Sequence, residues 1–520
     1  MEERGASNTV RDGGIRFATL SVATGIAAAI HPVRAPFYAL GTGLPATEAG
    51  FSMMTHGVPS YAAQRIYHRS GRAPPWGCEK YCLPACSLHI PTHPWFPLIM
   101  NIKLSRFGAA LGTGTGIGQL MADLGEALGG QSDLLMMGGG NPAHIPEVAA
   151  LWRRRLGELA GDADLCDRVL GNYDPPSGNQ GFLEAVASLL QREFGWPVTS
   201  RNIAVTNGCQ TAFFFLVNML AGEFDDGMRR RVLLPIMPEY IGYADQGMGN
   251  GLFTSCKPLI DQLDDHRFKY RIDFDRLEVG EDIGAICVSR PNNPSGNVLT
   301  DEEVARLAEL ARQRGVPLLV DNAYGLPFPA AIYTDAQLTW NEGMVLTFSL
   351  SKLGLPGTRT GIVVACEEII SALASINSVV GLASGNVGQA IVEPLIRSGE
   401  LLEISQNLVR PFYERKAGQA VDWVRESFPD DLPYRVHVSE GAFFLWLWFP
   451  DLPITARELY ERLRVRKLLV VPGSHFFYGL GEDWQHSHEC VRITYSQPDD
   501  VVRRGIEILA EEVQRAYGDG

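Results

Sequence analysis

The stretch that decides the fold is Val345-Leu-Thr-Phe-Ser-Leu-Ser-Lys-Leu-Gly-Leu-Pro-Gly-Thr-Arg-Thr-Gly361. Its apolar start predicts a strand that delivers the hydroxyl of Ser349 and then the amine of Lys352. A turn that contains glycine follows and ends at Arg359. A lysine amine can condense with an aldehyde, and a serine and an arginine can hold a phosphate. The stretch therefore indicates an anchor for a phosphorylated aldehyde, although a Ser-x-x-Lys pair alone is common by chance.

The sequence around this stretch alternates strand-like and helical runs from about residue 100 onward. Apolar runs end at Asp321 and just before Lys352. A helix is predicted over Asp301 to Arg314, because Thr300 and Glu303 have the spacing of a capping box. Strands that alternate with helices of this length predict βαβ units and a mostly parallel sheet, so we expect an α/β fold. In such sheets the functional side chains collect at the carboxyl ends of the strands.

The composition is that of an ordinary globular protein. The chain has 520 residues, of which 46% are hydrophobic and 20% charged, so it can form more than one lobe. The formal net charge of −14 argues against nucleic acid or an anionic membrane as the main partner. The nine cysteines are odd in number and mostly far apart, which fits a reducing compartment better than a disulfide framework. We therefore expect a cytoplasmic protein that binds neither nucleic acid nor membrane.

Residues 1–99 differ from the rest of the chain. They are rich in Gly, Pro, Ala and Cys and show no sustained periodicity, so we expect a poorly ordered extension or a start codon placed too early, with Met100 as an alternative start. The apolar run from Phe17 to Ile30 is too short to cross a bilayer. A signal-peptide interpretation is weakened by the acidic residues that precede this run, which are Glu2, Glu3 and Asp12.

Two motifs suggest ligands that we do not expect. A cysteine–histidine cluster has the spacing C-x3-C-x3-C-x2-H-x3-H, but it lacks the longer loop that separates the ligand pairs of zinc modules. The run from Gly112 to Gly118 does not match G-x-G-x-x-G, and no clear strand precedes it. We therefore predict neither a metal site nor NAD binding. The members of the cluster are Cys78, Cys82, Cys86, His89 and His93.

Three further residues supply what a bound pyridoxal ring needs beside Lys352. Asp321 ends a buried run, and a carboxylate in that position requires a partner such as a protonated pyridine nitrogen. Tyr324 follows three positions later and can donate to the ring oxygen. Asn293 lies in a turn that is defined by prolines and Gly296, and it can present an amide to the same oxygen.

Other residues are candidates for the phosphate, the ring face and the substrate. Cys209 and Gln210 open a predicted helix after a strand, where backbone N–H groups hold phosphate. Tyr240 can lie flat on the ring, although core packing is an alternative for it and for Tyr243. Arg492 is a charge inside an apolar strand, and a substrate carboxylate is its best geometric match, with a structural salt bridge as the alternative.

These residues together resemble the fold-type I pyridoxal phosphate-dependent aminotransferases, and in particular the bacterial valine–pyruvate aminotransferase family. The similarity runs from about Met100 to the C-terminus and does not include residues 1–99. It rests on long strings that aminotransferases in general do not share. They are Gly138 to Glu147, Asn172 to Asp174, Met237 to Asp245, Cys287 to Gly296, Asp321 to Phe328 and Gly441 to Phe449.

The resemblance implies a role for each residue. It implies that Lys352 bonds to pyridoxal 5′-phosphate and serves with Asp321 and Tyr324 in catalysis. It implies that Asn293 and Arg492 bind the substrate, with a backbone N–H of Gly140 nearby. Further cofactor contacts are implied for Cys209, Gln210, Tyr240, Ser349 and Arg359, and for Tyr173 across the interface of a homodimer that shares its sites.

Two features depart from the family pattern. Seven positions separate Lys352 from Arg359, one fewer than in many relatives, so we expect a tighter turn. Ser295 stands in the Asn-Pro-Ser-Gly turn where threonine is usual, and we expect this change to be mild.

The resemblance also implies a domain layout and an activity. The large, mostly parallel cofactor-binding domain would span residues 136–405 and the smaller α+β domain residues 406–520, which the segment 100–135 would join. The expected reaction moves an amino group between L-valine and pyruvate in two half-reactions, with small amino acids and 2-oxo acids as ligands. Two alternatives stay open at this point, namely a lyase or decarboxylase on the same scaffold and, more distantly, an aminotransferase-like transcription regulator.

Overall fold

The computed structural model describes residues 103–112, 115–118, 121–122, 125 and 134–518. The chain divides into two units, Met1–Pro97 and Leu98–Gly520, and all described residues belong to the second. The predicted extension, the apolar run before residue 31 and the cysteine–histidine cluster lie outside the described residues. A helix over Arg106–Gly112 ends at the first residue of the glycine run that we rejected as a dinucleotide site.

The strands have the following bounds. They are β1 (Leu135–Met136), β2 (Ile203–Thr206), β3 (Gly222–Glu223), β4 (Arg229–Leu234), β5 (Phe253–Ser255), β6 (Leu259–Gln262), β7 (Arg267–Arg271), β8 (Ile283–Ser289), β9 (Leu318–Asp321), β10 (Met344–Ser349), β11 (Gly361–Val364), β12 (Arg435–His437), β13 (Phe444–Trp448), β14 (Leu468–Leu469), β15 (Val471–Pro472) and β16 (Cys490–Thr494).

The α-helices have the following bounds. They are α1 (Arg106–Gly112), α2 (Pro146–Gly161), α3 (Ala163–Gly171), α4 (Gln180–Phe194), α5 (Cys209–Leu220), α6 (Asp301–Arg314), α7 (Glu367–Gly381), α8 (Asn386–Ser398), α9 (Glu400–Ile404), α10 (Arg410–Ser427), α11 (Ala456–Val465), α12 (Gln485–His488) and α13 (Asp499–Gly518).

The main sheet has the strand order β2-β11-β10-β9-β8-β4-β3, and β5 also pairs with β4. Its central strands β10, β9, β8 and β4 are parallel, whereas β11 runs antiparallel to both of its neighbours. Every residue of β8, β9 and β10 is buried, which is why these strands read as continuous apolar runs rather than as alternating patterns. The predicted α/β fold with a mostly parallel sheet is confirmed.

A second sheet has the strand order β15-β16-β13-β12-β7-β6. Its pairs are antiparallel apart from β12 with β7. The hairpin of β6 and β7 comes from the middle of the chain but pairs with the C-terminal strands. In addition, β1 pairs in parallel with β14 and so attaches the start of the described body to the C-terminal part. The domain boundaries at residues 135 and 405 stay predictions.

Helix α6 begins and ends where its sequence predicts. The Thr300 hydroxyl accepts from the Glu303 N–H at 3.1 Å, and the Glu303 carboxylate accepts from the Thr300 N–H at 2.8 Å. Gly315 ends the helix in the left-handed conformation with φ +66°. No helix of the described residues is long and apolar enough to cross a membrane.

We predict that Thr300→Ala lowers the free energy of unfolding by about 1 kcal/mol, because the Glu303 N–H at the start of α6 loses the hydroxyl that accepts its hydrogen bond. Urea unfolding followed by circular dichroism measures this difference. Ala305→Gln, at an exposed position of the same helix, is the control and should change stability by less than about 0.5 kcal/mol. Equal effects of the two substitutions would contradict the role of the cap.

Candidate active site

The site lies where three neighbouring parallel strands end. The register pairs Ser289 of β8 and Thr347 of β10 with Asp321 of β9, so the three residues lie side by side at one edge of the main sheet. Beyond Ser349 the chain enters a 3₁₀ turn, Leu350–Leu353, which carries Lys352 over the same edge. Parallel pairing therefore brings groups from three distant parts of the sequence together, as the pattern of strand ends predicts.

Asp321 is a buried carboxylate that is held by neutral donors. It accepts hydrogen bonds from the Tyr243 hydroxyl at 2.5 Å, the Thr347 hydroxyl at 3.0 Å and the Ala323 N–H at 3.1 Å. Burial raises the pKa of Asp321 above its usual range, in opposition to these hydrogen bonds. Among the described residues no cation forms an ion pair with it. A protonated ring nitrogen fits this position because it would supply the missing charge.

Sequence reasoning did not assign Tyr243 and Thr347 to this carboxylate. Tyr243 lies 78 positions from Asp321 in the chain, and its approach depends on how the segment after β4 crosses the sheet edge. Thr347 had a usable signal, because it lies two residues before Ser349 and therefore on the same face of β10. A polar residue at that position of a buried strand needs a partner within the site.

Lys352 extends its amine across the face of the site. Its Nζ donates to the Gly140 carbonyl at 3.0 Å and lies 4.8 Å from the centre of the Tyr324 ring. Burial lowers the pKa of Lys352, while the nearby Tyr240 and Asp321 oppose that shift. A lowered pKa increases the fraction of neutral amine, which is the form that attacks an aldehyde and accepts a proton.

Arg492 is a buried guanidinium on the second sheet. Its Nη1 donates to the Asn293 side chain at 2.8 Å and its Nη2 to the Gly138 carbonyl at 2.6 Å. Its Nε has no hydrogen-bond partner, and no carboxylate among the described residues pairs with it. Burial lowers the pKa of Arg492 to about 10. A buried guanidinium with an unused donor is suited to the carboxylate of a ligand.

Two aromatic rings flank this guanidinium. Its central carbon lies 4.3 Å from the centre of the Phe444 ring and 5.1 Å from that of Phe476. These rings exclude water and hold the charge in place by cation–π contact. Asn293, which Arg492 contacts, also interacts with the hydroxyl of Tyr324. Burial raises the pKa of Tyr324, so its hydroxyl stays a hydrogen-bond donor near neutral pH.

The start of α5 and the guanidinium of Arg359 form an anion cup. Arg359 donates to the Asn207 carbonyl and the Ser351 hydroxyl, both at 3.4 Å, and to the Pro356 carbonyl at 3.2 Å. A methyl group placed on Gly208 would lie 2.1 Å from Arg359 Nη2, so only glycine allows this approach, and its φ of +85° suits glycine as well. A helix N-terminus beside a guanidinium that forms no ion pair with any described residue fits a phosphate.

The helix can reach the cup because of a glycine on the neighbouring strand. Gly361 begins β11, and a methyl group there would lie 2.5 Å from the Cys209 backbone nitrogen. Arg359, two residues earlier, has φ +50° and is strained in the left-handed region. This conformation accompanies the short spacing after Lys352 and turns the guanidinium back toward the helix.

The other residues that we predicted to contact the phosphate form side-chain hydrogen bonds within the protein. The Cys209 thiol donates to the Phe348 carbonyl at 3.2 Å, and burial raises the pKa of this thiol to about 12. Because the thiol is already engaged, the group that Cys209 can offer to an anion is its backbone N–H. Gln210 donates to the Gly242 carbonyl at 2.8 Å. The Ser349 hydroxyl accepts from the Ser351 N–H at 3.2 Å. Ser351, which sequence reasoning missed, contacts both Ser349 and Arg359.

Of three further predicted residues, Gly140 accepts a hydrogen bond from Lys352 through its carbonyl, Tyr240 lies near the lysine, and Tyr173 is remote from it. Tyr240 lies edge-on to Tyr243 with 5.2 Å between ring centres, and its carbonyl accepts from the Tyr478 hydroxyl. Gly140 contributes its carbonyl to the lysine, whereas Arg492 contacts the carbonyl of Gly138. Tyr173 is 82% exposed, and no contact among the described residues joins it to Lys352 or Arg359.

A cleft of about 250 Å³ opens beside Lys352. Apart from Lys352 and His144, the described residues that line it are uncharged, and most of them are apolar. The start of α2 forms part of its wall, and the hydroxyl of Tyr413 on α10 accepts from the Ala143 N–H at 2.7 Å. The lining residues are Asn141, Pro142, Ala143, His144, Ile145, Val148, Ala149, Trp152, Lys352, Leu353, Gly354, Pro356, Val409 and Tyr413.

Comparison with known proteins agrees with this geometry. The family model for aminotransferase class I and II matches residues 160–509. The chain is 45% identical to the valine–pyruvate aminotransferase of Escherichia coli over 418 residues, which are 80% of this chain and 100% of that relative.

Two solved structures are similar as well. A putative amino-acid aminotransferase from Psychrobacter arcticum has a TM-score of 0.78 at 43% identity, over 81% of this chain and 100% of that one. The valine–pyruvate aminotransferase of Salmonella typhimurium has a TM-score of 0.72 at 44% identity, over 78% of this chain and 100% of that one. The resemblance inferred from the sequence is thereby confirmed, and the chain belongs to the class I and II aminotransferases.

Proposed function

We propose that this aminotransferase moves an amino group between L-valine and pyruvate and holds pyridoxal phosphate at Lys352. The observation that carries the proposal is that the Lys352 amine lies near both a buried carboxylate, Asp321, and a buried guanidinium, Arg492, neither of which has an ion-pair partner among the described residues. One suits the cofactor ring and the other suits the substrate carboxylate. The identity to valine–pyruvate aminotransferases supports the choice of substrates.

The described residues offer a partner for each part of the cofactor. The cup of Gly208, Cys209 and Arg359 suits the phosphate, and Asp321 suits the ring nitrogen. Tyr324 and Asn293 suit the ring oxygen, and Tyr240 suits the face of the ring. Gln210, Ser349 and Ser351 suit the phosphate. When bound, pyridoxal phosphate supplies an aldehyde that takes up the amino group and a ring that withdraws electrons from the substrate Cα.

The protein's own part in the reaction is binding and proton movement. Arg492 binds the α-carboxylate and so fixes which bond of the Cα is broken. With pyridoxal phosphate bound, the Lys352 Nζ would be the group that takes the Cα proton and later gives a proton back, while the cofactor would supply the electron-withdrawing ring. The lowered pKa of Lys352 favours this task, because the amine must be neutral to accept a proton. Release of the first oxo acid before the second binds implies ping-pong kinetics.

The cleft beside Lys352 supports small aliphatic substrates. Among the described residues, its mostly apolar lining contains no lysine or arginine for a second carboxylate apart from the reacting lysine itself, and His144 is the one further basic side chain. An apolar pocket separates substrates that differ by one methylene by only about 1–3 kcal/mol. We therefore expect overlap between L-valine and 2-aminobutyrate and poor use of dicarboxylic amino acids.

The surface near Tyr173 supports a homodimer. Asn386 of α8 donates to the carbonyls of Val169 and Asn172, which fixes the end of α3 beside the start of α8. Large exposed hydrophobic side chains occur on these segments and at the end of α7, which is unusual for a free surface. They belong to Leu170, Tyr173, Val379, Val380 and Leu382.

A lyase or decarboxylase on the same scaffold is the nearer alternative, because it would use the same lysine and the same cofactor. Product analysis separates the two reactions. A transaminase consumes one 2-oxo acid for each amino acid, whereas a lyase consumes none. Stoichiometric formation of L-alanine from pyruvate with L-valine as donor would exclude the lyase.

We predict that Lys352→Ala folds but loses at least about 10²-fold in turnover, because the group that moves the Cα proton is gone. Visible absorption gives a second readout. The wild-type protein should be yellow, bleach with L-valine alone and recover its colour with pyruvate. Lys257→Ala, at a lysine that pairs with Glu482, is the control. Full activity of Lys352→Ala would refute the assignment.

We predict that Arg359→Ala weakens the binding of pyridoxal phosphate by about 10- to 150-fold, since a hydrogen bond to a charged group contributes about 1.5–3 kcal/mol. Inorganic phosphate should raise the melting temperature of the cofactor-free wild type and have less effect on the variant. Arg312→Ala, at an exposed arginine that pairs with Glu309, should behave as wild type. An unchanged affinity would exclude Arg359 from the cup.

Shared sites predict complementation between two inactive variants. Lys352→Ala lacks the amine, and Tyr173→Ala should bind the cofactor poorly in the site of its partner. When the two are mixed under conditions that exchange subunits, half of the dimers become hybrids with one intact site, so activity should return to about a quarter of wild type. Activity that stays at the sum of the separate variants would contradict shared sites.

A further inference from the structure

Glu239 is a buried carboxylate at the rim of this site that the proposed reaction does not use. It is 0% exposed and lies between Pro238 and Tyr240, in the segment that follows β4. One of its oxygens accepts from the Ser289 N–H at 2.8 Å. The other accepts from the Ser289 hydroxyl at 2.6 Å and from the Tyr240 N–H at 3.1 Å. Its two oxygens therefore join the end of β8 to the backbone of Tyr240.

The same hydrogen bonds extend to the turn that carries Asn293. The Asn292 amide donates to the Ser289 hydroxyl at 2.9 Å and to the Pro238 carbonyl at 3.0 Å. The Asn292 oxygen accepts from the Ser295 N–H at 3.0 Å. The hydroxyl of Ser289 thus accepts from Asn292 and donates to Glu239. Glu239 accepts in all three of its hydrogen bonds, an arrangement that favours the ionised carboxylate over the protonated form.

The surroundings of Glu239 oppose that ionised state. No cation among the described residues pairs with Glu239, and the titratable groups that face it are all acids, namely Asp321, Tyr243, Tyr478 and Cys287. Burial, with a smaller contribution from Asp321, raises its pKa to about 7, while the hydrogen bonds of Ser289 and Tyr240 oppose the rise. A cation placed against Asp321 would favour the carboxylate by attraction.

We propose that Glu239 is a positioning residue of this site, which as a carboxylate holds Tyr240 and the turn of Asn293 in place and releases its proton when a cation binds against Asp321. The inference rests on the proposed function, because the cation is the protonated ring of pyridoxal phosphate. It adds a proton linkage that runs through a residue with no contact to the substrate.

The sign of the linkage follows from the direction of the shift. A carboxyl whose pKa is about 7 in the folded protein and 4.5 as a free side chain favours folding in its protonated form. This stabilisation is present below pH 4.5 and is lost as the pH rises toward 7. Cofactor binding has the opposite dependence, because it needs the carboxylate. Affinity should therefore rise with pH up to about 7 and then level off.

The test compares wild type with Glu239→Gln, which keeps the size of the side chain and removes its charge. The dissociation constant of pyridoxal phosphate is measured from pH 6 to pH 8 by absorbance titration. The ratio of the variant's constant to that of wild type cancels the titration of the cofactor and of Lys352. We expect this ratio to increase about tenfold over the range, as release of one proton requires.

A second readout uses the cofactor-free protein. Its melting temperature should fall between pH 5 and pH 7 more steeply in wild type than in Glu239→Gln. Ser289→Ala removes one donor to the carboxylate, so it should shift the midpoint of the affinity profile to higher pH. This variant decides the matter if Glu239→Gln does not fold, since an unchanged midpoint overturns the proposal.

The outcomes are distinct from those of the proposed function. If the ratio of the two dissociation constants does not change with pH while the protein still binds the cofactor and transaminates, the role of Glu239 is overturned. The proposed function then remains intact. A wild type that binds no pyridoxal phosphate overturns both. Glu302→Gln, at an exposed glutamate of α6, is the matched control and should give a ratio that does not change with pH.

Discussion

Parallel pairing of β8, β9 and β10 is the constraint on which the rest of the site depends. Because the three strands pair in parallel register, Ser289, Asp321 and Thr347 occupy one row at the carboxyl edge of the sheet. The next residues of each strand must leave the sheet at that edge. The Asn293 turn, Tyr324 and Lys352 are therefore delivered to the same space, although they are far apart in the sequence.

Burial without charge compensation is the second feature of the site. Asp321, Glu239 and Arg492 are buried and Lys352 is half-buried, and among the described residues none of them has an ion-pair partner. Such groups cost free energy in the isolated protein, and each has a pKa shifted toward its neutral form. A ligand with a cationic ring and a carboxylate would compensate two of these charges, since the ring would pair with Asp321 and the carboxylate with Arg492. Binding of such a ligand is therefore favourable in part because it gives these buried groups the partners that they lack.

The second sheet completes the site from the other side. Arg492 on β16 and Phe444 on β13 are neighbours in this sheet, and the arginine reaches Asn293 and Gly138 across from the main sheet. The hairpin of β6 and β7 extends the second sheet from within the chain, and Lys269 of β7 pairs with Glu440 near β13. The position of Arg492 relative to Lys352 therefore depends on strands from three separate stretches of the sequence.

The sequence by itself determined the class of fold, the limits of α6 and the residues at the strand ends, because buried parallel strands, capping boxes and reactive side chains each leave a local pattern. It also indicated Lys352 as the reactive amine, Asp321 as the partner of a ring nitrogen and Arg492 as the partner of a substrate carboxylate. Only the tertiary structure decided that Tyr243 holds Asp321, that Arg359 lies against Gly208 and that Glu239 joins Ser289 to Tyr240. These contacts form between segments tens of residues apart, and the hairpin of β6 and β7 likewise pairs with distant strands. Local periodicity carries no information about such pairs, since they depend on how the turns after each strand cross the edge of the sheet.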